Sequence, residues 1–340
     1  MNDLSFLDSI TGERILIAPL NWGLGHASRC IPIIRKLSKN NAILIGSDGD
    51  ALQLLIEEFN DISYVKLPAY NINYNSDNLE WGLFKQSPKL FSAISKEMSL
   101  VSEIVDRFKI SLIISDHRLG CRDKRIRSII IAHQLQLHSV AQLSSSIATR
   151  INRYFINLFN ACWIPDYNSP RLSLAGKLSD NVGINTSRYI GPLSRFNKKS
   201  GKHVYDIAII LSGPEPRRTE LETKLYHHFH QSHLKIKWVR GVSKSSQHRI
   251  FSDTEDVIDM ATSKELNQLL VQTKLVISRS GYTTIMDLTQ LNKKCILIPT
   301  PGQPEQEYLA RHLKSDHRFN FLEERDLNQL NNRINQLIND

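Results

Sequence analysis

Between Leu275 and Ala310 the chain reads LVISRSGYTTIMDLTQLNKKCILIPTPGQPEQEYLA, a stretch compatible with very few folds. An apolar run ending at Ser278 meets a glycine turn at Ser280 and Gly281, and Thr283 to Leu291 then takes helical spacing. A second apolar run, Cys295 to Ile298, is stopped by Pro299, Pro301, Gly302 and Pro304, and a further helix begins near Glu305. The order is β-α-β-α, so the two strands run parallel. In such sheets ligands sit beyond the carboxyl ends of the strands, where helix N-termini offer unpaired N–H groups and partial positive charge. Both loops open at that edge.

The residues on these loops suit a sugar nucleotide. Arg279, Ser280, Gly281 and Thr284 are candidates for a diphosphate, Asp287 for ribose hydroxyls, and Glu305 and Gln306 for sugar hydroxyls. Taken alone, the same residues also fit an ordinary β-α unit of a Rossmann-like domain. The pattern resembles the C-terminal domain of family 28 glycosyltransferases, including the peptidoglycan-precursor N-acetylglucosaminyl transferase type. That family shows R-S-G-x-x-T-x-x-E and, after the next strand, Q-x-x-N-A. Here Arg279, Ser280, Gly281, Thr284, Gln306 and Ala310 match, Asp287 stands where the family has Glu, and Leu309 replaces Asn.

With 340 residues the chain has the length of two domains at about 150 residues each. Its 41% hydrophobic and 23% charged content is that of a water-soluble globular protein. No run approaches the ~18 apolar residues that cross a bilayer, and Met1 to Glu13 is too polar for a signal peptide, so a cytoplasmic location is expected. Cys30, Cys121, Cys162 and Cys295 are scattered without paired spacing, as free thiols in a reducing compartment are. A net charge of +9 raises nucleic acid and anionic membrane as partners. Lys and Arg are spread along the chain without an arginine-rich arm or an aromatic RNA-binding signature, so nucleic acid is not expected. Peripheral contact with an anionic membrane, at its inner face, remains compatible with this charge.

In the N-terminal half, Arg14 to Pro19 reads as a strand, followed by the turn Asn21-Trp22-Gly23-Leu24-Gly25-His26 and a helix from Ala27 to about Leu37. Gly23 and Gly25 allow a ligand close to the backbone. Family 28 enzymes carry a Gly-rich loop followed by His at this turn, facing the acceptor. The resemblance therefore puts His26 at the acceptor hydroxyl, where imidazole acts as general base; from the residues alone a helix-capping His is the alternative. Asn41 to Ile45 is a second strand, ending in Ser47-Asp48-Gly49-Asp50. Its D-x-D is similar to the metal signature of the other glycosyltransferase fold, but it equally makes a turn and helix cap, and no metal is expected.

A strand at Ile62 to Leu67 leads into a polar loop, Pro68 to Pro88, with Tyr70, Tyr74, Trp81, Leu83 and Phe84 suited to acceptor or membrane contact or to folding back onto the core. Pro88 is read as starting a helix to about Phe108. Ile110 to Ser115 is the next strand, ending in Asp116-His117-Arg118; Asp116 is a candidate catalytic carboxylate or a turn cap, with His117 and Arg118 on the acceptor side. Ser128 to Ala132 ends similarly in His133, and a helix near Ile147 to Asn160 precedes a strand at Ala161 to Ile164. These six runs describe a doubly wound domain whose polar tips, His26, Asp116 and His133, share one edge.

Arg188 to Leu193 and the basic Ser194 to His203 read as a linker, giving residues 1–193 as an acceptor-binding domain and 194–340 as a nucleotide-sugar domain. Tyr205 to Leu211 opens the second domain and ends in Ser212-Gly213-Pro214-Glu215-Pro216-Arg217-Arg218, a second phosphate-facing loop in which Ser212, Gly213 and Arg217 or Arg218 are candidates. His227, His228, His230 and His233 lie on the next helix without a third metal ligand nearby. Strands at Ile236 to Val239 and around Val257 and a final helix, Leu327 to Ile338, complete the domain.

The resemblance implies an α/β protein of two Rossmann-like domains facing across a cleft, the GT-B fold. It implies inverting, metal-independent transfer, without a cofactor, from a nucleoside diphosphate sugar, UDP-sugar by resemblance, to a hydroxyl of a glycan or lipid-linked acceptor. Two other readings share the fold: a sugar-nucleotide 2-epimerase, which needs no acceptor, and a non-catalytic sugar-nucleotide-binding protein.

Overall fold

The computed structural model describes residues 4–70, 79–137, 142–213, 215–242, 250–251 and 256–339. The chain divides into two compact units, one holding Asn2–Asn21 and His26–Leu193, the other Trp22–Gly25 and Ser194–Asp340.

The first unit alternates strand and helix: β1 (Arg14–Pro19), α1 (Gly25–Leu37), β2 (Ala42–Ser47), α2 (Gly49–Glu58), β3 (Ser63–Lys66), α3 (Leu79–Phe108), β4 (Leu112–Asp116), β5 (Arg127–Ile131), α4 (Gln142–Ile156), β6 (Ala161–Ile164) and β7 (Ser187–Tyr189). Its seven strands are all parallel, in the order β3-β2-β1-β4-β5-β6-β7. Strands covered on both faces need apolar residues at every position rather than at alternate ones. Accordingly β1 buries all but Arg14, and β4, LIISD, is buried throughout. Leu16, Ala18, Leu44 and Ile113 of the sheet pack on Val101, Ile104 and Val105 of α3.

In the second unit lie β8 (Tyr205–Ile210), α5 (Arg217–Phe229), β9 (Ile236–Val239), β10 (Asp256–Ile258), α6 (Ser263–Val271), β11 (Thr273–Arg279), α7 (Tyr282–Leu291), β12 (Cys295–Ile298), α8 (Pro304–His312), β13 (Asn320–Phe321) and α9 (Leu330–Asn339). Its sheet, also parallel, has the order β10-β9-β8-β11-β12-β13. Ile207, Ile209, Leu275, Ile277, Ile296 and Ile298 form its core with Leu221 and Leu225 of α5 and Leu330 and Ile334 near the chain end. α6 starts with a capping box, in which Thr262 and Glu265 satisfy each other's backbone N–H groups.

The structure departs from the sequence reading in three places. The helix expected to start at Pro88 starts at Leu79, so the expected loop from Pro68 is shorter; Tyr74 and the side chains of Trp81, Leu83 and Phe84 lie outside the described residues. The linker stretch begins with a strand, since Ser187–Tyr189 pairs with Cys162, Trp163 and Ile164 as β7. A seventh strand therefore joins the six expected. Strand β13 is two residues long, too short to carry a pattern. All four cysteines are buried free thiols, and among the described residues no helix is long and apolar enough to cross a membrane.

A buried ion network anchors the loops beside β1 and β4. Arg118, fully buried, donates from Nε to Glu97 of α3 at 2.5 Å and from Nη1 to Asp48 at 2.7 Å, and also bonds the Pro68 carbonyl. Glu97 in turn accepts from the Tyr70 hydroxyl at 2.5 Å and the Gly120 N–H at 3.1 Å. Asp48, the first carboxylate of the D-x-D, takes Asn21 on its other oxygen at 3.2 Å, which leaves it a loop anchor, while Asp50 is exposed. Removing one partner of such a pair strands a buried charge, so Glu97→Ala is expected to cost about 3–5 kcal/mol in urea unfolding.

Candidate active site

Each parallel sheet has one point where strand order reverses, and the loops leaving the two strands there diverge to open a crevice. In the first sheet this point lies between β1 and β4, whose carboxyl ends lead to His26 and to Asp116 and His117. In the second it lies between β8 and β11, which lead to the loops at residues 211–217 and 279–282. His26 and Asp116 to Arg118, and Ser212, Gly213 and Arg279 to Thr284, follow the switch-point strands; His133 follows β5, and Glu305 and Gln306 follow β12.

In the first unit Asp116 is fully buried and holds the cluster together. Its two carboxylate oxygens receive Nε and Nη2 of Arg29, the Nε bond being 2.5 Å, and Oδ1 lies 2.8 Å from His26 Nδ1. Burial alone would raise its pKa, but Arg29 and then His26 outweigh burial and hold the carboxyl far below the usual carboxylate range. His26 Nδ1 thus faces an acceptor, Asp116 Oδ1, and at 2.9 Å a donor, Arg29 Nη2. In the tautomer with the proton on Nδ1, given to Asp116, Nε2 is an acceptor. The His26 side chain is 14% exposed and that of Asp116 0%, so only the imidazole can meet a substrate.

His133 sits on the other side of the guanidinium, with Nδ1 3.0 Å from Arg29 Nη1. Because Arg29 can only donate, this nitrogen is unprotonated and Nε2 carries the proton. His117 takes the left-handed conformation, φ 59°, unusual for a residue with a Cβ, and its ring lies 5.5 Å from that of His26 and 6.1 Å from that of His133. Burial, followed by the neighbouring His26 and Arg29, lowers its pKa well below the ordinary value, so it is neutral. Arg118, expected on the acceptor side, is instead withdrawn into the Glu97–Asp48 network. Gly23 has φ 74°, a turn open to a residue without Cβ, and Gly25 starts α1.

Arg29 was not singled out in the sequence, although its signal is present: it stands three residues after His26, on the same face of α1. It also bears on metal binding. Ligand atoms of His26, Asp116 and His117 lie within 4.8 Å of one another, a spacing a cation could bridge. The guanidinium bonded to both oxygens of Asp116 already supplies the positive charge there, so a second cation would be repelled.

In the second unit, α7 begins after Ser280 and Gly281 with no side-chain cap at Gly281, and α5 begins at Arg217 with no side-chain cap at Pro216. Free helix N-termini of this kind suit anions, but at α5 the Thr219 N–H is taken by the Glu215 carboxylate at 3.2 Å, so α7 is the candidate. Gly213 turns the β8 loop at φ 116°, a conformation closed to other residues. Ser212 is partly exposed beside it, and Arg217 is exposed and paired with Glu220 at 3.1 Å. Arg218 points inward, to Glu215 at 2.6 Å and Glu222 at 3.2 Å.

Arg279 is buried beneath these loops. Its Nη1 donates to Glu324 at 2.6 Å and to the Pro299 carbonyl at 3.2 Å, and its Nη2 to the Arg217 carbonyl at 2.9 Å. One guanidinium thus ties together the loops after β8, β11 and β12. Gln306 does the same with its amide: Oε1 accepts from the Thr300 N–H at 3.0 Å and from Ser280 Oγ at 3.4 Å, and Nε2 donates to Gln303. Thr284 and Glu305 are partly exposed on the first turns of α7 and α8.

Asp287, expected to reach ribose, is only 6% exposed and accepts from the Ser194 hydroxyl at 2.5 Å. Asp is one methylene shorter than the Glu of the family pattern. Burial, acting against Arg195 and the Ser194 hydrogen bond, raises its pKa to about 6. Among the described residues, His228 bonds Asn331 and His230 bonds the His227 carbonyl, both on the exposed side of α5.

Residues 218–340 match the family model of the Glycosyltransferase family 28 C-terminal domain. No curated protein matches the chain by sequence. Solved structures match it in fold. The glycotransferase of kitacinnamycin has 11% identity and a TM-score of 0.64, over 96% of this chain and 91% of that one. The spinosyn rhamnosyltransferase SpnG, complexed with thymidine diphosphate, has 14% identity and a TM-score of 0.61 over 96% and 92%. UGT89C1 of Arabidopsis thaliana, complexed with quercetin, has 12% identity and a TM-score of 0.61 over 96% and 90%. These likenesses span both units, and the fold is GT-B.

The ionisation of Asp287 gives a test of its burial. The folded-state pKa of about 6 lies above the ordinary 3.8. The folded protein therefore binds more protons between these values, and stability falls as pH rises through that window, the penalty being complete above it. Asp287→Asn is expected to raise stability near neutral pH by up to about 3 kcal/mol, two pKa units at about 1.4 kcal/mol each, and to change little below pH ~4. Urea unfolding across this range measures it.

Proposed function

We propose that this chain, a glycosyltransferase of the GT-B fold, transfers a sugar with inversion and without a metal from a nucleoside diphosphate sugar, UDP-sugar by preference, to an acceptor hydroxyl. The single observation that carries the chemistry is the 2.8 Å contact between His26 Nδ1 and the ionised, buried Asp116. With the Nδ1 proton given to Asp116, Nε2 is free to take a proton. The acceptor's O–H bond breaks toward Nε2 as its oxygen attacks the anomeric carbon, and the bond from that carbon to the diphosphate oxygen breaks with the electron pair leaving on the nucleotide. Asp116 stabilises the imidazolium formed, and Arg29 keeps Asp116 from taking the proton itself.

The donor is assigned to the second unit. The N-terminus of α7, with Ser212, Gly213, Gly281, Thr284 and the exposed Arg217, offers the diphosphate hydrogen bonds and positive charge, while Ser280, fully buried and bonded to Gln306, shapes the loop behind it. Arg279 contributes by holding these loops in place through Glu324 and the Arg217 carbonyl. Glu305, partly exposed at the start of α8, is assigned to the sugar, and Gln306, buried and bonded to Ser280, Thr300 and Gln303, holds the loops beside it. His117 and His133, with Gly23 and Gly25, are assigned to the acceptor side. Support for the donor class comes from the family 28 match on residues 218–340 and from neighbours such as SpnG, crystallised with thymidine diphosphate, and UGT89C1, crystallised with UDP-L-rhamnose.

Two measurements test this. In a thermal-shift screen a nucleoside diphosphate at about 100 times its dissociation constant adds roughly 2.7 kcal/mol of stability; no shift with UDP, dTDP or any other nucleotide would remove the donor assignment. His26→Ala is expected to leave nucleotide affinity unchanged and to lower turnover about 100- to 10,000-fold, the usual worth of a positioned base. Parental turnover in a folded His26→Ala protein would overturn the base assignment. Asp116→Asn is expected to lose turnover too, and also about 3–5 kcal/mol of stability, because it strands the buried Arg29.

A further inference from the structure

At the amino ends of β5 and β6, the opposite edge of the first sheet from His26 and Asp116, lies a cavity of about 270 Å³. Side chains alternate along a strand and paired residues share a face, so Arg127 and Ile129 of β5, Ala161 and Trp163 of β6 and Arg188 of β7 belong to one side. The other side is filled: Ile130, Cys162 and Ile164 pack there with Ile156 and Phe159. On the cavity side the sheet meets the short 3₁₀ turn Ser5–Ser9, from which Phe6 touches Trp163 edge to face, the rings 5.1 Å apart. The turn closes on the sheet through these two rings and leaves the space beside them empty of side chains.

The polar groups of this cavity are cationic or neutral. Arg127 is exposed and, among the described residues, has no hydrogen-bond or ion-pair partner; Arg188 is exposed too, its guanidinium 4.7 Å from the centre of the Phe6 ring, and no acid pairs with it. The described acids nearest to these residues in sequence are engaged elsewhere: Asp8 with Lys36 at 2.5 Å, Glu13 with the Ser111 hydroxyl, Asp123 with Arg125 at 2.7 Å and Asp180 with Gln136 at 2.9 Å. Asn160, which also lines the cavity, accepts the Ser128 N–H on Oδ1 at 2.7 Å and so keeps its amide NH₂ as a donor. Apolar walls with two guanidinium groups that no carboxylate neutralises are complementary to a ring that carries an acid. The ring is taken by Phe6, Trp163 and Ile129, and the guanidinium forks match carboxylate or phosphate oxygens.

We propose that this cavity is a second binding site, for a small molecule that joins a planar apolar ring to one anionic group, carboxylate or phosphate. The site goes beyond the proposed reaction, whose residues lie at the carboxyl ends of the strands. Its ligand touches the first residue of β5, the strand whose other end leads to His133.

The test is calorimetric titration of the full chain with phenyl phosphate and with benzoate, taking phenol and inorganic phosphate as the ring alone and the anion alone. At least one of the two ring acids is expected to bind about tenfold more tightly than either control, and equally well with saturating UDP present. Arg127→Gln/Arg188→Gln is expected to weaken that binding about tenfold, with melting temperature and nucleotide-induced thermal shift as in the parent, because both side chains are exposed. Ala161→Leu, which puts bulk into the cavity and leaves its charge alone, is expected to weaken it as well. Ring acids that bind no better than their separate parts overturn the proposal, and so does an affinity unchanged in the double arginine variant. Displacement of the ring acid by UDP overturns it too, since the probe would then occupy the donor site. A parent without any nucleotide-induced shift counts against the proposed reaction and not against this cavity.

Discussion

The fully buried pair of Asp116 and Arg29 sets the chemistry of the first unit. Taking two charges out of water is costly, and the pair is stable there because every carboxylate oxygen is bonded: Arg29 reaches both, and His26 shares one. The geometry has three consequences at once. Asp116 is fixed as an anion, His26 Nδ1 is held between that anion and the guanidinium, and His133 is fixed in one tautomer by the same guanidinium. A single side chain of α1 therefore organises three residues that come from α1 and from the ends of β4 and β5. Parallel-sheet topology makes this possible, since all these strands end on one edge, with β1 and β4 adjacent at the point where strand order reverses.

The second unit uses the same economy with different parts. Arg279 is not displayed toward a ligand; it is buried and bonded to Glu324 and to the carbonyls of two neighbouring loops. Burial lowers the pKa of its guanidinium and Glu324 opposes that shift, the balance expected of a cation held inside the protein. Gln306 joins the Ser280 and Thr300 loops in the same way. What these bonds leave presented are backbone groups at the N-terminus of α7, while at α5 Glu215 takes the Thr219 N–H. Such groups bind anions without side-chain reorganisation, and their positions depend on the struts beneath them.

Strand positions could be read closely because both sheets are parallel and covered on both faces, which turns strands such as RILIAP and CILI into continuous apolar runs bounded by glycine and proline. β7 and β13 were not legible, because three- and two-residue edge strands have no pattern to detect. The start of α3 was misplaced because proline is a good first helical residue, yet the backbone is helical from Leu79 onward. In the site, residue types were legible and pairings were not. Arg118 and Arg279 read as ligand-facing cations, but their partners, Glu97 and Glu324, lie 21 and 45 positions away, on elements whose meeting depends on the fold. Arg29 was missed for the converse reason: a helical arginine four residues from a glycine turn looks like a solvated one until Asp116 is placed beside it.

Two carboxylates follow the two switch-point loops and differ in ionisation, and the difference tells their parts apart. Asp116 is held as an anion by Arg29 and His26, so it does not take a proton, and in the proposed reaction it orients an imidazole that does. Asp287, without a guanidinium bonded to it, is pushed by burial to a pKa of about 6 and accepts a neutral hydroxyl from Ser194. A base must gain a proton during the reaction and also reach the substrate. Asp116 fails the first condition and Asp287, turned inward, fails the second. In the proposed reaction His26 meets both, since a Nδ1 proton given to Asp116 leaves Nε2 as the acceptor on a partly exposed ring.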